Sequence, residues 1–187
     1  MEFAERIKTH LHSMFESSGF VKIDETTETL EYANAEKGIT VRIGRDTVRG
    51  NELFLYITRG GWSCDLLELI EFFRYPQERI PFAVSSTDDS DQVLKAVEEL
   101  LSSSEYALLK GDAKCYASIL EFQRTKAAKD KEQMEIESLL STAQRAWDDK
   151  DYAAIVNLLS TQSRRLPEIW KGRLQYSNRK VRRRGFD

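Results

Sequence analysis

Between Gly38 and Arg59 apolar and polar residues alternate with period two. Ile39, Val41 and Ile43 alternate with Thr40, Arg42 and Gly44; further on, Leu53, Leu55 and Ile57 alternate with Phe54, Tyr56 and Thr58. Strict alternation in β-branched and aromatic residues predicts two strands with one face in a core. The polar connector between them, residues 45–51, ends in Gly50-Asn51 and predicts a hairpin with a longer loop. The residues of the opposite parity, Thr40, Arg42, Phe54, Tyr56 and Thr58, then form an outward face. That face either binds something or lies under the C-terminal helices.

Upstream the period changes to three and four. Phe3, Ile7, Leu11, Met14 and Phe15 predict an amphipathic helix from Glu2 to Ser17, ended by Gly19. Phe20-Val21-Lys22-Ile23 opens a strand, and a second follows over Thr29 to Ala33. Consecutive short turns force antiparallel neighbours, since parallel pairing needs a long crossover. The N-terminal unit therefore reads as a helix followed by a four-stranded antiparallel meander.

Gly60-Gly61-Trp62 breaks the last strand. Asp65 and Glu68 have the spacing of a capping box opening a short helix to Phe73, apolar almost all round and so expected to be buried. A brief extended segment is expected at Phe82-Ala83-Val84. Thr87 is placed to cap a helix from Asp88 to about Lys110, with Val93, Val97, Leu100 and Leu101 facing inward. From Ala113 no Pro or Gly occurs until Pro167. Arg124 to Gln133 holds only two alanines among polar and charged residues, which predicts a solvated helical bridge or a linker. A domain boundary is placed there: an α+β domain over 1–123 and a helical appendix over 124–187. In the appendix, a helix ending near Trp147, a turn at Asp148-Asp149-Lys150-Asp151, a second helix through Tyr152, Ile155 and Leu159, and a third after Pro167 are expected.

Charge supports that division. Residues 1–123 carry 13 Lys and Arg against 22 Asp and Glu, a net of −9; residues 124–187 carry 15 against 9, a net of +6. The whole chain of 187 residues is therefore only slightly acidic, at −3. No apolar run reaches the roughly 18–20 residues needed to span a bilayer, and the first residues lack the apolar region of a signal peptide. A cytoplasmic protein without membrane association is expected. Cys64 and Cys115 are too few for a disulfide framework and fit no zinc spacing.

Candidate chemistry is sparse. His10 and His12, two apart on a helix, diverge by about 200° and are expected to be solvated without sharing a metal. Cys64 precedes a helix, where a thiolate can be stabilised, but a nucleophile needs a positioned base. The acidic groups around Asp88 and Asp148 lack the calcium-loop pattern and are read as helix caps. No phosphate loop or dinucleotide fingerprint follows Gly60-Gly61, so no metal, cofactor or catalytic residue is expected. The Gly-Gly pair is read as a strand-end turn that exposes or docks Trp62. The tail holds Arg179, Lys180, Arg182, Arg183 and Arg184 against one acid, Asp187. It is solvated, paired internally, or a phosphate-binding element.

The segments AQRAWDDKDYAAIVNLLS and LPEIWKGRLQYSNRK resemble a tetratricopeptide-like helix pair, a packing unit over about residues 137–180. The order of helix, meander, helices and this hairpin also resembles a loose group of bacterial immunity-type α+β proteins. That resemblance implies a non-catalytic protein-binding module, an inhibitor whose partner is a bacterial toxin. Acidic Asp24, Glu25, Glu28 and Glu31, together with Arg42, Phe54, Tyr56 and Trp62, are the expected contact residues. Negative charge on this unit would speed docking on a basic partner. The alternative is a nucleic-acid-associated module using the basic tail, and a less favoured one is an enzyme dependent on Cys64. The oligomeric state is left open.

Overall fold

The computed structural model describes residues 2–48, 50–80, 87–103 and 105–184; the side chains of 87, 88 and 184 fall outside that description. The segment expected to be extended near Pro81 and Phe82-Ala83-Val84 also lies outside the described residues. The fold is α+β. Two compact units divide the chain, Met1–Gln123 and Arg124–Asp187.

In the first unit α1 (Phe3–Ser17) precedes β1 (Val21–Glu25), β2 (Thr29–Asn34), β3 (Ile39–Asp46), β4 (Glu52–Arg59) and β5 (Trp62–Asp65). The strands pair antiparallel in sequence order. The sheet thus has five strands where four were expected. Gly60 and Gly61 both take positive φ, 55° and 81°, and close a two-residue turn that pairs Arg59 with Trp62. A glycine pair that reads as a terminator is here a hairpin turn of the twist strands favour. The β3–β4 pairing is continuous from Ile39↔Arg59 to Asp46↔Glu52. β1 carries a bulge between Lys22 and Asp24.

Alternation decides which face is covered. Leu30, Tyr32, Ile39, Val41, Ile43, Leu53, Leu55, Ile57 and Cys64 are all buried. Against them pack Phe3, Ile7, Leu11 and Phe15 of α1, and Leu66, Leu69 and Ile70 of α2 (Leu66–Phe73). Val93, Leu94, Val97 and Leu100 of α3 (Thr87–Ser102) complete that side, with Leu108 and Leu109 of α4 (Ala107–Lys110). Fully burying such a side chain stabilises by about 1.5–3 kcal/mol, so this face carries most of the stability of the unit. The capping box of α2 is formed: Glu68 N–H donates to Asp65 Oδ1 (2.8 Å) and Asp65 N–H to Glu68 Oε2 (3.1 Å).

One continuous helix from Asp88 to Lys110 does not form. Ser102 Oγ–H donates to the Glu99 carbonyl (2.9 Å) and Ser103 Oγ–H to that of Leu100 (2.6 Å). Such bonds compete with the helical ladder. Glu105 and Tyr106 then take positive φ before the chain re-enters a helix. Gly111, at φ 75°, ends α4, and Asp112 Oδ1 accepts from Cys115 N–H (2.8 Å) as α5 (Ala113–Asp148) begins.

Residues 124–133 are helical, within α5. In the second unit the later turns of α5 pack with α6 (Tyr152–Leu159) and α7 (Glu168–Arg184). Its core is small: Ala143, Ile155, Leu159, Leu166, Trp170 and Leu174. Asp151 Oδ1 caps α6 by accepting from Ala154 N–H (3.0 Å).

Candidate functional site

Among the described residues the opposite face of the sheet bears no helix of the first unit's core, and its residues follow from register. Asp24 stands opposite Glu31, Glu31 opposite Arg42, Arg42 opposite Tyr56, and Tyr56 opposite Asp65. One row thus crosses all five strands, reading acid, acid, arginine, tyrosine, acid. Arg42 and Tyr56 in its middle are exposed, Tyr56 to 46%.

The neighbouring row explains how the aromatics are held. Thr29, Gly44 and Phe54 are register partners. A Cβ on Gly44 would come within 2.6 Å of Thr29 Cγ2, 2.7 Å of the Glu28 carbonyl oxygen and 2.8 Å of Phe54 Cζ. The missing side chain therefore lets the Phe54 ring lie over the strand. Phe54 then contacts Tyr56 (ring centroids 5.6 Å) and carries the Arg42 guanidinium 5.8 Å from its centroid. Among the described residues Arg42 has no carboxylate partner. A concavity of about 330 Å³ opens beside this group, between Arg42, Phe54, Tyr56, Asp65 and the half-exposed Leu67. Arginine and tyrosine held in place at an uncovered surface are the residue types that anchor protein interfaces.

The four expected acids do not act alike. Glu25 bonds to both Lys22 and Lys8, and these ammonium groups hold its carboxyl below the usual range. Glu28 is bound by Arg45 through Nη2 (2.7 Å) and Nε (2.8 Å). Asp24 and Glu31 make no ion pair among the described residues. Unneutralised negative charge on this face therefore sits on the row and on exposed Glu52 at the start of β4. Of the two alternatives for Trp62, exposed or docked, the structure shows a half-buried, docked ring. Its Nε1–H donates to Gln123 Oε1 (2.7 Å) and its ring meets Tyr116 edge-on at 5.0 Å, so it docks the start of α5.

The histidines stay part-exposed, with side chains 24% and 37% accessible, and each has its own partner. His10 Nε2 lies 3.2 Å from Asp91 Oδ1, which also accepts from Arg6 (2.8 Å). His12 Nδ1 lies 3.0 Å from the Tyr32 hydroxyl, and its Nε2 lies 3.0 Å from Glu16. Cys64 is 1% exposed, and burial, with Glu68 beside it, pushes its thiol well above the ordinary value of 9.0. A group so disposed holds its proton at neutral pH, and the nucleophilic form is disfavoured. Cys115 is also raised by burial.

The basic tail continues α7 as helix. Arg179, Arg182 and Arg183 are exposed, and Lys180 lies 5.4 Å from the Tyr176 ring. The internal pairing weighed for it is not formed among the described residues: no described carboxylate pairs with these four cations.

Among the described residues no group of three or more His, Cys, Asp or Glu is placed to hold a metal, and no helix is long and apolar enough to cross a membrane. No family model matches the chain, and neither a curated protein nor a solved structure matches it.

Proposed function

We propose that this chain is a protein-binding module that acts without catalysis, and that the uncovered sheet face takes the partner. The observation that supports this reading is the row Asp24–Glu31–Arg42–Tyr56–Asp65, with Phe54 beneath Arg42 and no carboxylate on the guanidinium among the described residues. A partner offering an acidic group to Arg42 and basic groups to Asp24 and Glu31 would match it in charge, and an apolar side chain would fill the space beside Leu67. The likeness in element order to immunity-type proteins makes a bacterial toxin the partner class of choice.

The test is titration calorimetry against the product of the neighbouring gene. Arg42→Ala or Tyr56→Ala is expected to weaken binding at least 30-fold, about 2 kcal/mol, the level of an interface anchor. Asp24→Lys with Glu31→Lys should slow association and flatten its salt dependence. Glu28→Lys should do less, because Arg45 already neutralises that acid. Unchanged affinity in both single variants would overturn the assignment of the face. A neighbouring product with no toxin activity would overturn the immunity part alone.

A further inference from the structure

The second unit has an aromatic and cationic surface of its own. Trp147 at the end of α5, Tyr152 at the start of α6 and Tyr176 in α7 meet pairwise, with ring centroids 6.1, 5.7 and 5.5 Å apart and all three pairs edge to face. They border an open concavity of about 550 Å³ together with Lys150, Gly172 and Arg173. Gly172 adds no side chain to that space. It sits inside a helix, where glycine is unfavourable, and a Cβ built on it meets nothing within 4 Å. No close approach of a neighbouring group requires glycine here, and a side chain at this position would project into open space.

Arg173 is held in place beside that room. Its guanidinium lies 4.9 Å from the Trp147 ring and 4.6 Å from the Trp170 ring, and Nη1 donates to Gln144 Oε1 (2.6 Å). Its remaining donors have no protein acceptor among the described residues. From there the helical spacing runs i, i+3, i+7, i+10 through Arg173, Tyr176, Lys180 and Arg183, which is one face of a helix about 15 Å long. None of these three cations has a carboxylate partner among the described residues.

We infer that this stripe binds single-stranded nucleic acid, with a base entering the aromatic concavity over Gly172 and backbone phosphates on Arg173, Lys180 and Arg183. An aromatic cluster at one end of a row of cations that carry no carboxylate among the described residues matches a ligand that joins planar rings to negative charge. A base is flat and apolar on its faces, as the concavity requires, and each phosphate accepts the donors that Arg173 leaves unused. The concavity falls within the size range of small-ligand sites and accommodates a nucleotide. The site is distinct from the sheet face and does not depend on it.

The test is fluorescence anisotropy of the full chain with fluorescein-labelled dT12 and rU12, which separate DNA from RNA as the source of the strand. Binding is expected to weaken with salt at a log–log slope of about −2, a loss of roughly 20-fold between 50 and 200 mM. Tyr176→Ala should weaken binding at least 5-fold. Lys180→Gln with Arg183→Gln should weaken it and make the salt slope shallower. Gly172→Leu fills the space while improving the helix. It should weaken binding at least 5-fold with an unchanged or higher melting temperature, which separates loss of the site from loss of the fold. No binding of either oligonucleotide by the intact chain overturns the inference. So does binding that Gly172→Leu leaves untouched, binding that polyglutamate displaces as well as unlabelled dT12 does, or preference for an acidic peptide.

Discussion

The two faces of the five-stranded sheet are built from alternate residues of the same strands, yet they are chemically opposed. One face has a buried aliphatic centre with a tyrosine and a thiol, flanked by half-buried Arg45, Arg59 and Trp62; the other carries Glu31, Arg42, Phe54, Tyr56 and Asp65, half-buried or exposed. A shift of one residue in register would exchange the two sets, so the buried face enforces the register that assembles the exposed row. The fold and the candidate site are therefore specified by a single pattern. What differs is the consequence of altering each face.

The largest contrast is expected at Leu55, fully buried and paired across to Ile43. Leu55→Ala should cost about 2–5 kcal/mol in urea unfolding, whereas Tyr56→Ala, one residue along on the other face, should stay within about 0.5 kcal/mol. Equal losses at the two would abolish the distinction. Gly44→Val tests the one place where the exposed face is tightly packed. The added side chain meets backbone and Thr29 at under 3 Å, and a cost of about 1–3 kcal/mol is expected with Phe54 displaced, read as loss of stability together with weaker partner binding.

A smaller effect follows from titration on the buried face. Cys64 and Tyr32 are both raised by burial, Tyr32 up to about 12. Each ionises more readily in the unfolded chain, so the unfolded state binds fewer protons at high pH and is favoured there. Their contribution is fully present below pH 9.0, the ordinary value of the thiol, and is lost as pH rises above it. The loss should approach about 1.4 kcal/mol per pH unit for each group once the unfolded form is ionised. Urea midpoints between pH 8 and 11 should fall, and Cys64→Ala should delay the onset. A flat profile would show the thiol to be less enclosed than its neighbours imply.

Much of the first unit was legible in the sequence because its signals are local. Alternation in Ile39–Ile43 and Leu53–Ile57 specifies two strands and their inner face, and Asp65 with Glu68 marks a helix start within four residues. β5 was missed because a four-residue strand after Gly-Gly carries too little pattern to outweigh two glycines. The break after Ser102 depends on hydroxyls turning back on the helix, which propensity does not display. In the site, the outward placement of Arg42, Phe54 and Tyr56 follows from period two. Their alignment with Glu31 and Asp65 depends on loop lengths that set register, so Asp65 was read only as a cap. Exposure and docking of Trp62 both stay open in the sequence because its partner, Gln123, is 61 residues away. The cluster of Trp147, Tyr152 and Tyr176 went unread for the same reason, since its third ring arrives from another helix.

The order of the strands bears on how quickly the sheet can assemble. Every pair in it joins neighbours in sequence, and the longest connection is the segment 47–51 between β3 and β4. Closing loops this short costs little chain entropy, and folding rates rise as contacts become more local. The β3–β4 hairpin is the longest pairing and lies at the centre, so β2, β1 and β5 can each add to a growing edge without a search over distant chain. The helices after the sheet arrive from farther away: α3 meets α1 through Arg6 and Asp91, 85 residues apart, and the start of α5 meets Trp62 through Gln123, 61 residues apart. The contacts of highest sequence separation are those between the sheet and the later helices, so their closing is expected to be the slow step of folding.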